Sequence, residues 1–101
     1  MNKILTIITI LLFSLVAQST NDLLVEGKNL LNDSFFPEAQ NKLLTVVEAE
    51  PTVAEAHFLL SKIYLRQYDL DKTRESLRKA IDNDQTNQDY RDEFDHLTAL
   101  A

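Results

Sequence analysis

Cysteine and tryptophan are absent from the 101 residues, glycine occurs once and proline twice. Without cysteine there is no disulfide framework, no thiolate metal site and no cysteine to carry a lipid at the end of a leader. One glycine leaves no phosphate-cradling loop. Basic residues are also in short supply. Ten Lys and Arg stand against sixteen Asp and Glu, giving a formal charge of −6. A nucleic-acid binder needs a clustered positive surface to displace counterions, so that class of partner is excluded. The chain does have helix formers: 45% of its residues are hydrophobic and 26% charged, the balance of a small helical domain that must hold together by packing alone.

The first nineteen residues read as an address. Lys3 opens a short basic start, an apolar run extends from Ile4 to Leu15, and small residues follow around Val16 to Ser19. This is the layout of a secretory signal peptide over 1–19, with cleavage after Ala17 or after Ser19 both open. The run is shorter than the ~20 residues that span a bilayer, and Thr6, Thr9 and Ser14 dilute it. An uncleaved membrane anchor is the alternative. Removing the leader takes away one Lys and no acid, which leaves a net charge of about −7. The compact leader points to a bacterial, periplasmic protein.

From Thr20 the chain repeats itself. Residues 20–53 and 54–87 superpose without a gap, so that Leu24 falls on Phe58, Leu30 on Tyr64, Leu31 on Leu65, Phe36 on Leu70, Leu43 on Leu77 and Val47 on Ile81. Each copy holds two apolar stripes at helical spacing, separated by a short polar break. The prolines punctuate the first copy. Pro37 stands at the first position of a second helix, where its missing N–H costs nothing, and Pro51 stands just beyond that helix, where it stops continuation. Phe35 and Phe36 are expected to fill the corner between the two helices. After Asn87, Tyr90, Phe94, Leu97 and Ala101 share one helical face, so 88–101 reads as a capping helix with Asp89, Asp92, Glu93 and His96 on its wet side.

The 34-residue period and its signature positions resemble the tetratricopeptide repeat, whose pattern is W-x2-L-G-x2-Y, then A-x3-F, then P. The first copy supplies Leu23, Gly27, Leu30, Ala39, Leu43 and Pro51; the second supplies Leu60, Ser61, Tyr64, Leu77 and Ala80. Gly27 and Ser61 are the small residues at which paired helices approach. Glu26, His57, Thr73 and Gln85 depart from the pattern, Ser34 and Tyr68 stand where a turn glycine is usual, and these departures weaken the second boundary. The resemblance implies an all-α fold, an α-solenoid of two antiparallel helix-turn-helix repeats with a terminal cap. Two units fall below the ~3 repeats usually needed for independent stability, so self-association is expected too.

The resemblance also implies a function. In that family the first helices of the units line a concave groove that receives partner peptides. Carried onto this chain, the groove presents Leu24, Lys28, Leu31 and Asn32 from the first copy and Phe58, Lys62, Leu65 and Arg66 from the second. An apolar floor with basic edges suits a peptide with hydrophobic anchors and acidic flanks or a free carboxyl terminus. Some members clamp a C-terminal carboxylate with Lys and Asn. Here Leu24, Lys28 and Leu59 stand at those places, which disfavours such a clamp. The competing reading covers Leu24, Phe58 and Leu65 with the terminal helix or with a second copy of the chain.

Two other constellations stand in the chain. Asp82, Asp84, Thr86, Gln88, Tyr90 and Glu93 echo the spacing of a calcium loop, yet a polar turn between repeats accounts for the same residues. His57 lies in an apolar context that suits a hydrogen-bonded core histidine, and His96 beside Asp95 reads as exposed. No Ser, His and Asp set can be placed together. The expectation is a noncatalytic adaptor or assembly scaffold of the cell envelope, without cofactor or metal. Its alternatives are a self-associating structural module and a membrane-anchored subunit of an envelope complex.

Overall fold

The structure is a computed structural model that describes residues 20–100. The leader reading, 1–19, lies outside the described residues, as does Ala101. All regular secondary structure among the described residues is helical: α1 over 20–32, α2 Phe36–Ala49, α3 Ala54–Arg66, α4 Leu70–Asn83 and α5 Gln88–Leu100. None of these helices is long and apolar enough to cross a membrane.

The turns show why the helices stop where they do. At the end of α1 the Phe35 N–H donates to Leu30 O at 2.8 Å and the Ser34 N–H to Leu31 O at 3.0 Å. At the end of α3 the Asp69 N–H donates to Tyr64 O and the Tyr68 N–H to Leu65 O, both at 3.0 Å. These are Schellman caps, which need a left-handed residue at the turn. Ser34 and Tyr68 supply it with φ of 67° and 57°. The exits of α2 and α4 match in the same way: the Glu50 N–H reaches Val46 O, and the Asp84 N–H reaches Ala80 O. The backbone thus recurs in step with the 34-residue period, and Gln85 in place of a proline has not shifted the end of α4. A carbonyl four residues back holds the chain at both exits, so proline is not required there.

Core packing follows the apolar stripes. Ala39, Leu43 and Val46 of α2 and Ala56, Leu59, Leu60, Ile63 and Tyr64 of α3 form one buried cluster, with Leu23, Leu24, Leu30 and Leu31 of α1 half-buried against it. Each fully buried Leu or Ile contributes on the order of 1.5–3 kcal/mol. Among helices α2 to α5 the most extensive contact joins α3 to α4, followed by α2 with α3 and α4 with α5. Gly27 allows α1 and α2 to meet closely, because a Cβ there would lie 2.9 Å from both Cγ and Cδ2 of Leu43.

Two details differ from expectation. Phe35 does not fill the corner between helices. It is the N-cap residue of α2, its N–H bonded to Leu30 O, and stands 55% exposed. Phe36, half-buried, packs against the core cluster without it. Pro37 is the second residue of α2 instead of the first, still within the turn where a missing N–H is harmless.

Candidate functional site

α3 carries the site, with α1 on one flank and α5 on the other. Lys28 Nζ of α1 meets Glu55 Oε1 of α3 at 2.9 Å, and the Phe58 ring of α3 lies 4.6 Å from the Tyr90 ring of α5 at 31°. Tyr90 reaches Phe58 because α5 buries Tyr90 and Leu97 while exposing Asp89, Asp92, Glu93 and His96. Desolvation, with the carboxylates of Glu55, Asp84 and Asp89 nearby, pushes the Tyr90 phenol above its ordinary value, so the ring stays neutral in its contact.

A cleft opens between α3, α4 and α5. Phe58, Ser61, Lys62 and Leu65 line it from α3, Thr73 and Leu77 from α4, and Glu93, His96 and Leu97 from α5. Its floor is apolar, Leu65 is 40% exposed on its wall, and Lys62 Nζ sits 4.8 Å from the centre of the Phe58 ring. A cation held over an aromatic face stays available to a partner carboxylate while its stem covers apolar surface.

The expected groove residues therefore divide. Phe58, Lys62 and Leu65 come together in the cleft. Leu24 and Leu31 are half-buried against the core, and Asn32 is exposed at the end of α1. Lys28 is paired with Glu55. The Arg66 guanidinium lies 4.4 Å from the centre of the Phe36 ring on α2. The basic edge read from the sequence is consequently divided among separate partners.

Glu93 and His96 of α5 belong to the cleft, although the sequence pattern assigned them only to the wet side of a cap. For His96 the signal was in the period, since one further step of 34 residues carries Lys62 onto it; Glu93 falls on Leu59, which does not line the cleft, so the period gave no sign of it. α5 thus continues the register of α1 and α3.

His57 is 6% exposed, and one of its ring nitrogens meets the Pro51 carbonyl oxygen at 2.7 Å. It ties the loop before α3 to the core. In the stretch that echoes a calcium loop, Thr86 Oγ1 donates to the Asp84 carboxylate at 2.9 Å, while Tyr90 is turned inward onto Phe58. Among the described residues no three His, Asp or Glu side chains converge as a metal site would require. Thr73 Oγ1 donates to Asp69 O at 2.7 Å, Ser61 Oγ to Phe58 O, and no buried side-chain nitrogen or oxygen lacks a partner among the described residues.

Compared with protein-family models and with curated proteins, the chain matches none.

Proposed function

We propose that this chain is a noncatalytic protein-interaction module, a short tetratricopeptide-like solenoid capped by α5, exported to the cell envelope, whose α3–α5 cleft receives a segment of a partner protein. The observation that carries the reading is the cleft. A half-buried Phe58 and an exposed Leu65 flank it above the buried Leu77 and Leu97, with Lys62, Glu93 and His96 at its rim. Such an arrangement suits an apolar anchor side chain with a carboxylate beside it. Stacked hairpins hold the cleft rigid, so binding costs little ordering of the module itself. Lys62 would govern orientation and on-rate, and Leu65 and Phe58 the contact area.

The test uses the full chain as bait in a native envelope extract, beside a Lys62→Glu, Leu65→Glu variant of equal helical content. These positions are exposed, so the variant separates binding from folding better than truncation of Phe58, whose ring supports α5. Partners captured by the native chain and lost by the variant support the cleft. Identical capture by both baits rules the cleft out. A mass that falls from oligomer to monomer in the variant replaces the adaptor reading with self-association.

A further inference from the structure

α5 stands where the first helix of a third repeat would stand, and the side that such a helix turns to its second helix is open. One period earlier His57, Leu60 and Tyr64 of α3 are 6%, 2% and 9% exposed, because α4 packs along that side of α3. Thirty-four residues on, Arg91 and Thr98 are exposed and Phe94 is only half-buried. The register is otherwise kept: as the His57 ring meets the Pro51 carbonyl oxygen, the Arg91 guanidinium donates to the Gln85 carbonyl oxygen. α5 therefore has the packing side of a repeat helix with no helix laid on it among the described residues. The other end of the array is finished differently. Ala56 and Ile63 of α3, wholly buried, fall on Asp22 and Asn29 of α1, which are exposed. The polar outer face that closes a repeat array is thus built into α1, whereas α5 keeps Phe94 and its neighbour on α4 keeps a half-buried Ile81.

The charges along this face select the occupant. On the α4 flank Arg74 pairs with Asp71 at 3.5 Å, the Arg78 guanidinium lies 5.8 Å from the centre of the Phe94 ring, and Asp82 follows one turn after Arg78. On the α5 flank Arg91 and Asp95 stand one turn apart, with Phe94 between them. Three arginines are balanced by three aspartates, on a chain whose formal charge is −6. Such a face gives a strongly acidic or a strongly basic partner no net attraction, but it complements itself. An antiparallel copy sets Arg91 opposite Asp95 and Asp95 opposite Arg91, about a shared contact at Phe94. We propose that this face seats a second copy of the chain, in an isologous dimer where each α5 takes the place of the second helix in the other's third repeat. Each copy thereby gains the packing that a two-repeat array lacks. Glu93 and His96 face the cleft on the opposite side of α5, so the dimer leaves both clefts open and presents them as a pair. The face shares no residue with the cleft, and the dimer stands whether or not the cleft binds.

Sedimentation equilibrium of the full-length chain over a range of concentrations tests this by charge reversal. The native chain should pass from monomer to dimer as concentration rises. Arg91→Asp and Asp95→Arg should each weaken the dimer by about tenfold or more, since each sets like charges opposite one another. The double variant, Arg91→Asp with Asp95→Arg, should regain most of the native dimer, because the pairs are restored with their signs exchanged. Circular dichroism of the same samples checks that helical content is equal. The cleft variant Lys62→Glu, Leu65→Glu should dimerise as the native chain does. A monomer at every concentration, a dimer that neither single reversal weakens, or no recovery in the double variant would overturn the proposal. So would a dimer that the cleft variant dissolves, since the two copies would then meet through the cleft.

Discussion

In the first hairpin, α1 and α2 meet at Gly27, where a Cβ would press 2.9 Å from Leu43, and the N-cap of α2 is Phe35, which makes no side-chain capping bond. In the second, Ser61 stands at the place of Gly27, and Asp69 caps α4 by accepting the Lys72 N–H at 3.1 Å. The buried interior differs as well. α2 buries Ala39, Leu43 and Val46, whereas α4 buries Thr73 and Ser76 beside Leu77 and Ala80. The backbone turns nevertheless share their hydrogen bonds. The comparison teaches that the recurrent geometry is held by main-chain caps and by the placement of the apolar stripes. Contacts inside each hairpin are free to be wholly apolar or to include polar side chains, provided that every buried polar group is bonded.

Truncating the shared core position should separate the hairpins most. Leu43→Ala is expected to cost about 3 kcal/mol, because Leu43 is wholly buried and its cavity cannot collapse. Leu77→Ala at the same repeat position should cost less, roughly 2 kcal/mol, since Leu77 borders the open cleft and water or neighbours can refill the space. Urea unfolding of both variants measures the difference, and equal losses would break the contrast between a closed and an open hairpin.

Exchanging the small residues gives a smaller effect. Gly27→Ser places a Cβ and a hydroxyl against Leu43 and should destabilise by about 1–3 kcal/mol, against the helix propensity of the two residues. Ser61→Gly should also destabilise, by about 0.5–1 kcal/mol, through backbone entropy in a helix interior. Melting both exchanges shows whether the helix separations differ, and a stabilising Gly27→Ser would mean that they do not.

The caps come last. Asp69→Ala is expected to lose about 1 kcal/mol, and Phe35→Asp to gain somewhat less than that, by giving α2 the capping acceptor that α4 already has. Chemical denaturation reads both. No gain from Phe35→Asp would show that the Schellman turn and Pro37 already satisfy the start of α2.

Much of this fold was legible in the residues. Helix positions followed from apolar spacing, and the prolines and the 34-residue step marked the hairpin boundaries. His57 was readable as a core histidine because it replaces an apolar residue on a buried stripe. Other features were hidden. Phe35 reads as core by its type and its place beside Phe36, because periodicity along a helix says nothing of a residue in the turn between two helices. Arg66 looked like a groove cation because spacing along one helix does not show that the Phe36 ring stands beside it. Glu93 and His96 were assigned to a wet face because the cleft exists only once α5 lies against α3 and α4.

From the sequence alone came the all-helical class, the period, and the polarity of each helix face, since these depend on local propensity and on side-chain spacing along one chain. Tertiary structure alone decided which charges stay available and which surfaces stay open. Pairings such as Lys28 with Glu55, Arg66 with Phe36 and Phe58 with Tyr90 join residues far apart in the chain. Their geometry is set when helices pack, and no local rule contains it.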